Sequence, residues 1–341
     1  MAGDLLGSAL PLVAAPMAGG PTTVRLATAV AGAGAFPFLA GAYRSPDDLA
    51  ADIAQVRATG APFGVNLFAP HDARVDEAAL RRYAGELQPL ADRYGLDLST
   101  VPLVEDDDGW QDKLDVLLAD PVPVMSVTFG LPRSDEVAAL RRAGTRVLVT
   151  VTTVDEARAA ADLGADAVVA QGSSAGGHSG THDARREITP MATADLVAAV
   201  VAATGLPVVA AGGVDGPGAV ADLRRAGASA VAVGTLLLRT DESGASSPYK
   251  DALVDPAFPD TVVTRAFTGR PARGLRNAFT DRYGATAPTG FPAVHHLTKT
   301  LRAAAAAAGD TSSFHLWAGT GHRSARTGPA ASVVEELARG L

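Results

Sequence analysis

The stretch AQGSSAGGHSGTHD, residues 170–183, sets two histidines in a glycine- and serine-rich segment directly after a short apolar run. Imidazole titrates near neutral pH and is the natural general acid or base of such a loop. Glycines serve packing poorly, because they bury no side chain and cost backbone entropy, but they let a flat ligand lie against the main chain. We therefore interpret His178 as a catalytic candidate. The alternative is a loop histidine with one structural hydrogen bond.

Two other chemistries of this segment are less favoured. His178 and His182 are four residues apart and Asp183 follows, a spacing that binds metals on a helix. The intervening Ser-Gly opposes a rigid helix, so no metal site is predicted. A serine hydrolase needs a strained turn of the type G-x-S-x-G, which GSSAGG does not match.

A second chemical signal is a pair of glycine turns, AAGGV at residues 210–214 and VGTLL at residues 233–237. Glycine lets backbone N–H groups approach an anion closely, and a following helix start adds positive partial charge. Gly212, Gly213 and Gly234 therefore indicate a phosphate site. The competing interpretation is that they only permit tight turns.

The elements that must position these residues form a regular alternation. Short, almost continuously apolar runs, as expected for parallel strands covered on both faces, alternate with amphipathic stretches typical of helices. The apolar runs lie at residues 11–20, 35–41, 62–70, 121–130, 146–153, 166–174, 206–214 and 229–238. Eight such units predict an α/β fold of the (β/α)8 TIM-barrel type, in which function is built at the carboxyl ends of the strands. A doubly wound sheet is the lesser alternative.

The alternation of apolar runs and amphipathic stretches ends near Arg239. We predict a barrel domain from residues 1–239 and 327–341, closed by a terminal helix, and a smaller, mainly helical C-terminal cap over residues 240–326. The acidic VEDDDGW, residues 104–110, is interpreted as a solvated insertion before the fourth strand.

Several cap residues invite a functional interpretation. Arg270 and Arg273 in GRPARG can face the cap–barrel junction or an anionic substrate, with structural salt bridges as an equal alternative. His295 and His296 are expected to be solvent-exposed. Trp317 is expected in the core.

The composition of the chain argues against some classes of binding partner. The formal charge of −8 and the sequence pI of about 5.4 argue against nucleic acid, because phosphate backbones require a basic face. There is no cysteine, which excludes disulfides and thiolate sites. The sequence begins without a basic region followed by an apolar core, and no apolar run is long enough to cross a bilayer. These features predict a cytoplasmic protein without a membrane partner; no pattern indicates its oligomeric state.

Taken in order, the motifs resemble those of the flavin-dependent nitronate monooxygenases, in particular the larger class I group. The matching motifs are PLVAAPMAGG, PFGVNLF, SVTFG, QGSSAGGHSG, VVAAGGV, AVGTLLL, AFTGRPARGLRN and LWAGTGHRSAR, and they extend from about Pro11 to Arg326. The resemblance implies a TIM barrel that holds FMN beneath a helical cap, which agrees with the alternation of elements.

The resemblance also implies roles for individual residues. Pro16, Met17 and Ala18 would border the flavin ring, Asn66 and Gln171 would hydrogen-bond it, and Gly176 and Gly177 would pass close to it. Gly212, Gly213, Gly234 and Thr235 would hold the phosphate, and His178 matches the active-site histidine. Ser174 departs from the pattern, because many relatives carry an acidic residue there.

The implied reaction is the oxidation of an alkyl nitronate by FMN with O2, giving a carbonyl compound and nitrite. A nitronate is already an anion, so His178 would act on it as a cation or as a hydrogen-bond donor; only a neutral nitroalkane requires a base. We predict nitronates as better substrates than nitroalkanes. The alternatives are an NAD(P)H-dependent quinone or enoyl-thioester reductase on the same scaffold, and a barrel that binds a phosphorylated metabolite without redox chemistry.

Overall fold

The computed structural model describes residues 5–70 and 75–341. Within these residues, eleven strands follow one another along the chain. They are β1 (Leu12–Ala14), β2 (Phe36–Ala40), β3 (Gly64–Phe68), β4 (Val124–Thr128), β5 (Arg146–Val151), β6 (Ala167–Gln171), β7 (Gly177–His178), β8 (Val208–Ala211), β9 (Ala230–Val233), β10 (Thr261–Thr264) and β11 (Ala272–Leu275).

Eight of these strands form the predicted barrel. β1 to β6, β8 and β9 pair in parallel in that order, and β9 returns to β1, where Val13 lies between Phe36 and Ala232. Each lies within one of the eight apolar runs. The (β/α)8 fold is therefore confirmed, and closure of the sheet rules out the doubly wound alternative.

Helices follow the strands around the barrel and continue beyond it. They are α1 (Val24–Gly32), α2 (Pro46–Arg57), α3 (Glu77–Ala91), α4 (Trp110–Ala119), α5 (Ser134–Arg142), α6 (Val154–Asp162), α7 (Thr193–Thr204), α8 (Pro217–Arg225), α9 (Ser247–Ala252), α10 (Ala278–Tyr283), α11 (Ala293–Ala307) and α12 (Ala330–Ala338). Among the described residues, no helix combines the length and apolarity that crossing a membrane requires.

Local sequence explains where these helices begin and end. Ser45 caps α2 by accepting the Asp48 N–H at 3.1 Å, and Pro46 occupies the first helical position. Gly144 and Gly164, with φ of 90° and 86°, follow the ends of α5 and α6 in the left-handed region that glycine tolerates.

The barrel interior is filled by inward-facing side chains such as Val13, Phe36, Phe38 and Val209. A Cβ on Gly64 would lie 2.4 Å from the Phe38 ring, so this glycine makes room for the phenyl group. The interior is thus a packed core, and open space is left only towards the strand ends.

The layer above the barrel mouth contains an element that the sequence did not predict. β7, β11 and β10 form a three-stranded antiparallel sheet in which His178 pairs with Ala272. The cap is therefore built around a sheet as well as helices. A strand of two residues inside a glycine-rich loop is too short to show the alternation of apolar and polar residues that predicts a strand, so β7 could not be predicted from the sequence.

The long connection between β3 and β4 also joins this layer. Tyr83 of α3 packs in one hydrophobic cluster with Phe267, Phe279 and Leu297, and its hydroxyl donates to the Ala266 carbonyl at 2.7 Å. The acidic insertion is not simply solvated. Its Asp108 binds the buried Lys113 at 2.7 Å.

Candidate active site

A chamber of about 540 Å3 lies over the carboxyl ends of the barrel strands and beneath the cap. Its volume is within the usual range of small-molecule sites. The structure brings every residue predicted for the site to its walls. These residues are Pro16, Met17, Ala18, Asn66, Gln171, Gly176, Gly177, His178, Gly212, Gly213, Gly234 and Thr235.

The glycine-rich loop passes the chamber as almost bare main chain. A Cβ on Gly176 would lie 2.4 Å from the Gly319 nitrogen, so the two backbones touch. The Gln171 side chain holds the loop in place, because its Nε2 donates to the His178 carbonyl at 3.1 Å and its Oε1 accepts the Gly180 N–H at 2.7 Å. These two hydrogen bonds tie the glycine-rich loop to the end of β6.

The loops after β8 and β9 offer backbone donors to the chamber. Gly213 has a φ of 78°, and neither its N–H nor that of Gly234 finds an acceptor within residues 5–70 and 75–341. The Thr235 hydroxyl accepts the Gly319 N–H at 3.0 Å. Unpaired N–H groups at glycine turns fit an anion such as a phosphate. Together with the glycine-lined wall, these donors fit a planar cofactor with a phosphate tail.

His178 lies on β7 and points into an aromatic surround. Its Nε2 is 2.9 Å from the Thr268 hydroxyl, and its ring packs near those of Phe129 and Trp317, with centroids 5.6 and 5.5 Å away. Burial, assisted by the positive charges of Arg270 and Arg302, lowers its pKa to about 3. The imidazole is therefore neutral at pH 7. This shift disfavours the cationic role considered above and favours a hydrogen-bond donor or a weak base.

Arg270 is fully buried behind His178. Its guanidinium carbon lies 3.9 Å from the centroid of the Phe129 ring, and its Nη2 donates to the Thr181 carbonyl. Its Nε and Nη1 have no hydrogen-bond partner, and burial lowers its pKa to about 9. Neither Arg270 nor Arg273 forms an ion pair in the described part of the chain, so structural salt bridging is wrong for both.

A second buried cation, Arg302, lies in the roof on α11. Its Nη2 donates to His295 Nδ1 at 3.2 Å and its Nη1 to His315 Nδ1 at 3.3 Å. Both imidazole nitrogens therefore accept and carry no proton. Burial first, and then Arg302, lowers the pKa of both histidines.

The expectation of an exposed His295 is wrong, because this side chain is only 8% exposed. Positions 295, 299 and 302 share one face of α11, and packing of the helix over the barrel mouth turns that face towards the chamber. His296 lies off this face and is half-buried against Asp106, at 2.9 Å.

Tyr43 is another wall residue that sequence reasoning missed. It adopts a φ of 63°, its N–H donates to Asp108 at 3.0 Å, and its ring stacks on His295 at a centroid distance of 4.5 Å. Nothing in the sequence around Tyr43 signals this. Trp317, predicted in the core, packs against the cap cluster but also lines the chamber.

His182 takes no part in the chamber wall. Its ring Nε2 lies 3.0 Å from the Thr150 carbonyl, and its backbone N–H donates to the Glu156 carboxylate at 3.0 Å. Across the described ranges, no group of three or more histidine, aspartate or glutamate side chains is placed to hold a metal ion.

Comparison with known proteins agrees with this geometry. Residues 5–340 match the family described as nitronate monooxygenase. A probable nitronate monooxygenase of Staphylococcus aureus (strain JH9) is 34% identical over 340 residues, which are 98% of this chain and 95% of the relative.

Two solved structures are similar over nearly the whole chain. The nitroalkane oxidase from Streptomyces ansochromogenes is 48% identical with a TM-score of 0.94, covering 100% of this chain and 98% of its own. FabK from Thermotoga maritima is 27% identical with a TM-score of 0.75, covering 99% and 94%. The chain therefore belongs to the nitronate monooxygenase family and is a flavin-dependent oxidoreductase.

Proposed function

We propose that the protein uses FMN and O2 to oxidise alkyl nitronates of the propionate 3-nitronate type to a carbonyl compound and nitrite. The carbon–nitrogen double bond is replaced by a carbon–oxygen double bond, and nitrite leaves with the nitrogen. Two nitronates and one O2 balance to two carbonyl compounds and two nitrite ions. FMN, when bound, would supply the redox chemistry that no side chain can provide.

We assign the cofactor to the glycine-lined wall. Gly212, Gly213, Gly234 and Thr235 would hold its phosphate, with the unpaired N–H groups of Gly213 and Gly234 as donors. Its ring would lie along Pro16, Met17, Ala18, Gly176 and Gly177, within reach of Asn66 and Gln171. The support for this assignment is that all of these residues share one chamber.

The observation that carries the choice of substrate is the presence of two buried arginines near His178 that form no ion pair in the described part of the chain. Arg270 and Arg302 are both buried, and neither is paired with a carboxylate within the described ranges. Such cations favour an anion in the chamber, because charges interact strongly where water is excluded. A nitronate is an anion and a nitroalkane is not.

The state of His178 supports the same preference. An imidazole with a pKa of about 3 is a weak base for a carbon acid, but it can still donate or accept one hydrogen bond. We infer that His178 orients the nitronate by a hydrogen bond and that Thr268 fixes its ring. Proton removal from a neutral nitroalkane would be slow by comparison.

The test begins with a visible absorption spectrum and release of the cofactor from the purified protein. Oxygen uptake and nitrite formation are then followed with propionate 3-nitronate, ethyl nitronate and nitroethane. We expect kcat/KM to be higher for both nitronates than for nitroethane. Rapid bleaching by NADPH without O2, with no turnover of nitronates, would instead support the reductase. A colourless protein that takes up no FMN would support the metabolite-binding barrel.

His178→Ala tests the role of the histidine. We expect kcat/KM for the nitronates to fall by roughly tenfold or more, because the orienting hydrogen bond to a charged group is lost, and turnover of nitroethane to fall as well, because the weak base is removed. His182→Gln is the matched control, because His182 belongs to the same loop but does not line the chamber. A His178→Ala enzyme that oxidises nitroethane at the wild-type rate would contradict a base role.

A further inference from the structure

A second cavity, of about 280 Å3, lies on the other side of the glycine-rich loop from the chamber. The two share wall residues Gln171, Ala175 and Gly177, so the loop is a thin partition between them. The remaining walls come from the start of α6, from residues 186–191 before α7, from α7 itself and from the cap strands β10 and β11. This second cavity has no part in the chemistry described above.

Arg273 of β11 is the polar anchor of this cavity. Its side chain is fixed from two sides, because Nε donates to the Ser173 carbonyl at 2.8 Å and Nη1 donates to the Thr261 hydroxyl at 2.9 Å. Nη2 has no acceptor in the part of the chain that the structure describes. An arginine held in this way can bind an anion with little further loss of side-chain entropy.

The charges around the cavity have one sign. Arg186 and Arg273 are the charged side chains among its lining residues, and no carboxylate is among them. Arg186 is already balanced by Glu156 at 3.6 Å, whereas Arg273 has no ion-pair partner within residues 5–70 and 75–341. The cavity therefore keeps a local positive charge in a chain whose formal net charge is −8.

The rest of the wall is largely apolar. Val154, Ile188, Met191, Leu196 and Val263 all face the cavity. Met191 is 53% exposed at its rim, an unusual position for a large apolar side chain unless something packs against it. A small ligand with an apolar body would bury this surface.

We propose that this second cavity binds a small organic monoanion, with a carboxylate on Arg273 and an apolar body against Val154, Leu196 and Val263. The volume accommodates a single-ring or short-chain acid. The site is distinct from the flavin chamber and is separated from His178 by the backbone of Gly177, which pairs with Arg273 in the cap sheet.

The test is calorimetric titration of the flavin-loaded enzyme with benzoate, and with benzyl alcohol as its uncharged counterpart. We expect benzoate to bind with one-to-one stoichiometry and benzyl alcohol roughly tenfold or more weakly, because the charge-assisted hydrogen bond is lost. Arg273→Gln should weaken benzoate by a similar factor. Ala199→Trp, which adds a large ring at the wall of the cavity on α7, should also weaken binding.

The controls separate the two cavities and exclude misfolding. Arg239→Gln changes another half-buried arginine that lines neither cavity, and it should bind benzoate like the wild type. Thermal unfolding of each variant checks that the fold is kept. Benzoate binding that survives in Arg273→Gln but is lost in Arg302→Gln would place the anion in the chamber and overturn the proposal, as would a wild-type enzyme that binds no benzoate. Neither result would alter the assignment of the nitronate reaction.

Discussion

Arg270, Phe129 and His178 form a cluster in which the guanidinium lies over the Phe129 ring and the rings of Phe129 and His178 meet edge-on. Arg270 is a buried cation with two unpartnered nitrogens, and Phe129 has a φ of 83°, outside the range that a residue with a Cβ prefers. Each feature typically costs about 1–3 kcal/mol. Strained or unpaired groups of this kind often mark functional sites. Here the cluster places the positive charge of Arg270 near the imidazole of His178.

We therefore expect Arg270→Met to raise the pKa of His178. Removing the like charge relieves the repulsion that disfavours the imidazolium form, while burial still holds the pKa below 6.5. A titration of the imidazole by NMR would measure this shift, and the acid limb of kcat/KM for nitronates should move to higher pH with it. Arg270→Lys keeps the charge and should titrate nearer to the wild type. An unchanged His178 titration in Arg270→Met would show that the two groups are not coupled.

Individual site residues could be predicted from the sequence where the residue type alone indicates a function. His178 and the glycines of the three loops stand in segments that packing alone does not explain. Arg302, Tyr43 and Thr268 do not stand out, because each reaches the site through tertiary packing of an ordinary helix or loop. Their place in the chamber wall depends on contacts between residues far apart in the chain, which one sequence does not display.

Among the elements, the glycine-rich loop and the cap segment 316–319 touch through their backbones. Gly176 lies against Ala318 and Gly319, and a Cβ would come within 2.5 Å of the Ala318 carbonyl carbon. Main-chain atoms cannot rotate away as the end of a side chain can. The glycine-rich loop therefore cannot shift without moving the cap segment 316–319 as well.

Gly176→Ala should accordingly destabilise the enzyme by about 1–3 kcal/mol, the usual cost of forcing atoms into a packed site. It should also weaken FMN binding, since the loop must shift away from the cap. Urea unfolding and titration with FMN would measure the two effects. Gly218→Ala on α8 is the matched control, because nothing lies within 4 Å of its added methyl, and it should leave both quantities at the wild-type level or slightly improve stability. Equal behaviour of the two variants would contradict the contact.

The barrel strands were predictable because each is a continuous apolar run bounded by turns. The cap sheet was not, since β7 contributes only Gly177 and His178, and its partners Ala272 and Arg273 in β11 lie 94 and 96 residues further along the chain. The association of α3 with the cap was missed for a related reason. Its apolar face predicts that it packs, but the partner surface of Phe267 and Phe279 is set by the fold.

The whole molecule carries several imidazoles buried in neutral form. The pKa values of His178, His295 and His315 are all lowered, mainly by burial, and His295 and His315 are held as acceptors by Arg302. In the unfolded chain these groups take up protons near pH 6.5. Between that pH and their folded pKa values the unfolded state binds more protons, so stability must fall as the pH falls.

We expect the free energy of unfolding to decrease from pH 7.5 to pH 5.0, by up to about 2 kcal/mol for each fully neutral histidine. Urea unfolding at a series of pH values measures this slope. In His315→Asn, whose amide oxygen can still accept from Arg302, the slope should lose about one proton's contribution. A slope identical to that of the wild type would mean that His315 is protonated to the same extent in both states.

The pairing of β7 with β11 has a consequence for how a nitro compound enters. The histidine stands on a strand of the upper sheet, whereas the glycine turns proposed to hold the cofactor's phosphate extend from the barrel. Were the cap to swing open as a hinged lid, it would break the pairing of β11 with the strand that carries His178 on every turnover. We therefore expect substrates and products to exchange through an opening that forms when side chains of the chamber wall, such as Tyr43, rotate. The positions of His178 and the glycine turns would then stay unchanged during exchange.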